Sequence, residues 1–114
     1  MDFNPIVIVA AAAAAFFAAR MLRGPRIDGA QARELVEAGA QLVDVRSPAE
    51  FASGHIDGAV NLPVQSIGSQ LDQLDRSRAV VLYCRSGSRS GMAARVLTNA
   101  GFTSVHNLGP MSAW

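Results

Sequence analysis

The chain has 114 residues, a formal net charge of +1 at pH 7, half of its residues hydrophobic and a single cysteine. That length holds one small domain at most, and a lone cysteine excludes an internal disulfide and any cysteine-based metal cluster. There is no lysine, no basic face and no interleaved aromatic set, which argues against nucleic-acid binding.

Residues 5–19 (PIVIVAAAAAAFFAA) are wholly apolar; Arg20 interrupts, and Met21 and Leu22 follow. A secretory signal would want positive charge ahead of the run, but Asp2 is the only charged side chain there. A buried globular helix would show a polar face, and this run has none. A membrane anchor fits best, with Ile6, Val7, Ile8, Val9, Phe16 and Phe17 supplying roughly 2–3 kcal/mol of insertion energy. Arg20, Arg23 and Arg26 follow the run, so the positive-inside rule puts the rest of the chain in the cytoplasm. The alternative is a cleaved signal, because the alanines before Arg20 resemble a cleavage site, and it would release the domain to the periplasm. Residues 1–25 are therefore expected to be an apolar helix and linker, and 26–114 the folded domain.

Asp28 with Gln31 three residues later is a capping box, predicting a helix with Ala32, Leu35 and Val36 inward and Gly39 at its end. A strand is expected over 41–46, on Leu42, Val43 and Val45. Ser47-Pro48 opens a short helix carrying Glu50 and Phe51, stopped by Gly54. His55-Ile56-Asp57-Gly58 reads as a turn and 59–61 as a short strand. After Leu62-Pro63 the spacing of Ile67, Leu71 and Leu74 predicts a helix. Residues 80–84 (VVLYC) read as a strand buried on both faces. Small polar residues and glycine follow, then a helix from near Arg89 with Met92, Ala93, Val96, Leu97 and Ala100 on one face and Gly101 as its cap. A last strand is expected over 103–107, with Leu108-Gly109-Pro110 as a turn. Strands alternating with helices predict a three-layer α/β domain, a parallel sheet with helices on both faces.

This order places Cys84 at the C-terminal edge of a strand, facing loop amides and a helix N-terminus. Both stabilise an anion, and Arg85 and Arg89 add positive charge, so a depressed thiol pKa is expected. A small buried cysteine at a strand end is the plainer alternative. The sequel of glycine, serines and arginines would line a core poorly, which favours the reactive reading.

Asp44-Val45-Arg46, Glu50-Phe51, Gly54-His55-Ile56 with Gly58-Ala59 and Asn61, and Cys84-Arg85-Ser86-Gly87-Ser88-Arg89 stand in order. Gly101-Phe102, Val105 and Trp114 complete the set. Together they resemble the rhodanese family of sulfurtransferases. The resemblance implies that Cys84 carries a persulfide cradled by the amides of Arg85, Ser86, Gly87, Ser88 and Arg89. It also implies that Arg85 suits the thiosulfate anion and that no cofactor is needed. Four residues separate Cys84 from Arg89, whereas the related phosphatase branch has five, which favours sulfur over phosphate. Gly109-Pro110 stands where the family usually has two glycines, and relatives continue past the position of Trp114 into a final helix.

The implied reaction runs from a thiosulfate or persulfide donor, through Cys84, to a thiol, cyanide or protein-cysteine acceptor. Two competing readings are a cysteine phosphatase or arsenate-reductase-like enzyme using Cys84 and Arg89, and a non-enzymatic, membrane-tethered interaction module. No general base is required, so His55 is read as structural, and His106 as a partly exposed strand residue. Asp44 and Arg46 are expected to pair with each other or with Glu50 beneath the site, and Trp114 to pack.

Overall fold

The strand Val80–Cys84 (β3) is buried along its whole length, because alternate residues feed two different cores. Val80, Leu82 and Cys84 point into one cluster, with Ala93, Leu97 and Phe102. Val81 and Tyr83 point into the other, with Ala32, Leu42, Ile56 and Leu108. A period of two in a strand covered on both sides has this outcome. The computed structural model describes residues 25–114. The apolar stretch assigned to a membrane anchor lies outside those residues. Among the described residues no helix is long and apolar enough to cross a membrane.

The sheet has four parallel strands: β1 (Gln41–Asp44), β2 (Val60–Asn61), β3 and β4 (Val105–Pro110), in the spatial order β2-β1-β3-β4. Helix α1 (Gly29–Glu37) packs Ala32 against one face. Helix α3 (Ser88–Asn99) packs Ala93 and Leu97 against the other. The capping box of α1 forms as expected, with Gln31 N donating to Asp28 Oδ1 at 2.8 Å and Asp28 N to Gln31 Oε1 at 2.9 Å. The short helix α2 (Pro48–Ala52) has the same device on Ser47 and Glu50, with Pro48 in its first turn. The three-layer α/β expectation holds.

Four local expectations are corrected. The first strand ends at Asp44 rather than Arg46, because the Arg46 amide bonds the Asp44 carboxylate at 2.8 Å. The helix expected after Pro63 is instead two 3-10 turns, Ile67–Ser69 and Leu71–Gln73. There Ser66 and Ser69 hydroxyls donate back to the Pro63 and Ser66 carbonyls, and Gly68 weakens helix formation. Ile67 and Leu74 still reach the core. Met92 is exposed, since the buried stripe of α3 runs through Ser90, Ala93 and Leu97, and Met92 lies about 200° around the helix from Ser90. Finally, Leu108-Gly109-Pro110 is not a turn but the end of β4. Leu82 pairs with Asn107 and Tyr83 with Gly109, so Leu108 is an inserted bulge residue. Asn107 Oδ1 accepts the Gly109 amide at 2.8 Å, and Gly109 takes φ +86°.

Candidate active site

Strand order reverses between β1 and β3: β1 connects outward to β2, and β3 outward to β4 on the other side. In open parallel sheets the crevice beyond the strand C-termini at such a switch point is where ligands bind. The residues ending β1 and β3 there are Asp44 and Cys84. Cys84 turns its side chain toward α3, and the chain folds over it through 85–87 into that helix. Gly87 makes this possible. It caps α3 at φ +103°, a left-handed conformation that other residues enter only with strain.

In that conformation the Gly87 amide donates to Cys84 Sγ at 2.9 Å. Ser90, fully buried one turn into α3, lies 3.4 Å from the sulfur and 3.1 Å from the Gly87 carbonyl. Its hydroxyl has one proton. It donates to the carbonyl while Cys84 is a thiol, and that proton is available to the sulfur once Cys84 ionises. Burial pushes the Cys84 thiol up. The Ser90 hydroxyl and the amides of Ser90, Gly87 and Ser86 outweigh it and leave the pKa below the ordinary thiol value. Cys84 has no exposed surface, whereas Arg85, Ser86 and Ser88 above it are exposed.

The two arginines of the loop part company. Arg85 projects into solvent. Arg89 turns to α2 and grips Glu50 with two bonds, Nη1–Oε1 at 2.6 Å and Nη2–Oε2 at 3.0 Å. That grip, with the Ser47 amide, holds the Glu50 carboxyl down at about 2. Arg89 is raised in turn, first by Glu50 and further by the Cys84 charge.

At the end of β1 Arg46 folds back on Asp44, through Nη2–Oδ2 at 2.7 Å and Nε at 3.0 Å from both carboxylate oxygens. Asp44 is fully buried and Arg46 nearly so. Arg46 also donates to the Gly54 carbonyl at 2.7 Å, and Asn61 Nδ2 donates to the carbonyls of Asp44 and Arg46. Of the expected alternatives, Arg46 therefore takes Asp44, and Glu50 goes to Arg89. His55 stacks on Phe51, centroids 3.7 Å apart, and its Nδ1 lies 2.9 Å from the Phe51 carbonyl, which fits a structural role. His106 is half-buried on β4 beside the Ser104 hydroxyl, and Trp114 packs against the α1-side core. Ser90 was not among the expected site residues. Its signal was present in the sequence as the small polar residue that a helical turn brings back under a cysteine six positions earlier.

The model of the rhodanese-like domain matches residues 28–114. The uncharacterized protein YqhL of Bacillus subtilis is 36% identical over 113 residues, covering 96% of this chain and 90% of that protein. The thiosulfate sulfurtransferase GlpE of Pseudomonas aeruginosa is 38% identical over 90 residues, covering 78% of this chain and 82% of its own. The human single-domain sulfurtransferase TSTD1 superposes with a TM-score of 0.66 at 29% identity, covering 80% of this chain and 92% of that one.

Proposed function

Because the chain belongs to the rhodanese-like domain family, whose relatives here include sulfurtransferases, we propose that it transfers sulfane sulfur through a persulfide on Cys84. The observation that carries this reading is the Gly87 amide 2.9 Å from a sulfur whose pKa is lowered. A thiolate so held is a nucleophile.

In the first step Cys84 Sγ attacks the outer sulfur of thiosulfate or of a persulfide donor. The Sγ–S bond forms as the donor's S–S bond breaks, and its electron pair leaves on sulfite or a thiolate. In the second step a thiol, cyanide or protein cysteine attacks the outer sulfur and restores the Cys84 thiolate. No atom of this sequence requires a general base, and splitting one transfer into two displacements is ordinary nucleophilic catalysis. The amides of Ser86 and Gly87 and the start of α3 are donors fixed before charge arrives, so they stabilise the persulfide anion without reorganising. Since Cys84 is covered, the donor enters as the exposed Arg85, Ser86 and Ser88 give way, and Arg85 meets the donor's negative charge at the surface. Arg89 fixes the loop to α2 through Glu50.

Residues 5–22 are proposed as an uncleaved anchor, with the catalytic domain facing the reducing cytoplasm. The support is their apolarity and the arginines that follow them. The test of the reaction is intact mass. Incubation with thiosulfate should add one sulfur atom, cyanide should remove it as thiocyanate, and Cys84→Ser should show neither change. A Cys84→Ser protein that still forms thiocyanate would overturn the mechanism.

A further inference from the structure

Arg26 stands at the start of the domain, where the sequence reading assigns it to membrane topology. The fold puts it to a different use. A parallel bridge pairs Arg26 with Asn107, and the Ile27 amide donates to the Asn107 carbonyl at 2.9 Å, which fixes this residue along β4. From there its side chain runs past two glycines. A Cβ on Gly109 would lie 3.2 Å from Arg26 Cδ and Nε, and a Cβ on Gly87 would lie 2.7 Å from Arg26 Cζ and collide with Nη2. Both glycines take positive φ. The bulge in β4 and the cap of α3 thus leave a slot without side chains, and the arginine lies in it.

Gly87 is the residue whose amide contacts Cys84 Sγ at 2.9 Å. With the fixed N–Cα–Cβ geometry between them, the guanidinium carbon stands no more than about 8 Å from the sulfur. That is within one Debye length at physiological salt. The other cations nearby differ from it. Arg89 is paired with Glu50, and Arg85, exposed as Arg26 is, supplies none of the atoms nearest a Cβ on Gly87. Among the described residues Arg26 makes no ion pair. An arginine with an open planar fork beside a reactive sulfur is suited to a tetrahedral or planar oxyanion.

We propose that Arg26 is a specificity residue of the Cys84 loop, its guanidinium over Gly87 holding the negative end of an anionic sulfur donor. This rests on the sulfurtransferase reading for the identity of the donor, but not for the charge preference itself. Iodoacetate and iodoacetamide test that preference directly, since they alkylate the same sulfur, are nearly the same size and differ in charge. The ratio of their rates on Cys84 cancels loop opening and thiolate fraction.

In Arg26→Ala the iodoacetate-to-iodoacetamide ratio should fall several-fold, and Arg26→Lys should recover part of it. The thiosulfate KM should rise in Arg26→Ala by more than kcat falls. A ratio equal to that of the unaltered chain overturns the proposal. So does a parallel fall of both rates, which would make Arg26 only a support for Gly87. If the ratio falls as expected while the unaltered chain takes no sulfur from thiosulfate, the charge preference stands and the sulfurtransferase reading fails.

Discussion

At the scale of single residues, the chemistry depends on whether Cys84 is ionised. Its depressed pKa comes from donors that exist only in the folded loop, with the Ser90 hydroxyl the strongest of them. The alkylation rate should therefore rise with pH through a midpoint below that of an unperturbed cysteine thiol. Ser90→Ala should move that midpoint upward, and an unmoved midpoint would remove Ser90 from the site. The linked stability has a definite sign: the thiolate's contribution is complete above the unfolded thiol's pKa and is lost as pH falls through the folded one. Asp44 and Arg46 carry the other large local energy. With both buried, Asp44→Ala leaves a charge without its partner and should cost about 3–5 kcal/mol in denaturant unfolding. Asp44→Ala combined with Arg46→Met should recover much of that loss. If the double variant is no more stable than the single one, the cost lies in packing rather than in the unpaired guanidinium.

Between elements, the contact to test is Arg89–Glu50, which joins the first turn of α3 to α2. Arg89 holds Glu50 at about 2 from an ordinary 4.5, helped by the Ser47 amide. For a carboxylate lowered on folding, the stabilisation is present above pH 4.5 and fades as pH falls toward 2. Both side chains are about one third exposed, so solvent screens the pair and the effect is modest. Glu50→Gln should flatten the acid limb of the stability curve and free Arg89, weakening the hold on the loop. Melting temperatures taken between pH 2 and 7 would show it, and an acid limb identical to that of the unaltered chain would refute the assignment.

For the whole molecule, the reversal of strand order puts the ends of β1 and β3 side by side. A buried ion pair then stands at one strand end and a buried thiol at the end of the neighbouring strand. The N-terminal run concerns the molecule's place in the cell. If residues 5–22 form an uncleaved anchor, cell fractionation should leave the chain in the membrane pellet. It should begin at Met1, and the domain should resist protease added outside spheroplasts. A chain beginning near Arg20, or a domain digested from outside, would assign it to the periplasm.

Signals spanning a few residues were legible in the sequence. The capping boxes at Asp28 and Ser47, the doubly buried strand ending in Cys84 and the loop from Arg85 to Arg89 each follow from adjacent side chains and local hydrogen bonds. The family pattern was legible for the same reason, because its motifs are short and ordered along the chain. Choices between partners distant in sequence were not legible. Glu50 was expected beside Asp44 and Arg46, and the fold, by bringing the first turn of α3 to α2, gave it to Arg89 instead. The bulge at Leu108 depends on pairing with β3, and the apolar spacing after Pro63 did not reveal that serine hydroxyls would take its carbonyls. Arg26 is the extreme case: it is 58 positions from Cys84 in the sequence, and only the closure of β4 beside β3, with two glycines between, lays its charge over the loop. Local hydrogen bonds and side-chain periodicity are written in neighbouring residues, whereas the sharing of charge among distant groups exists only once the chain has closed.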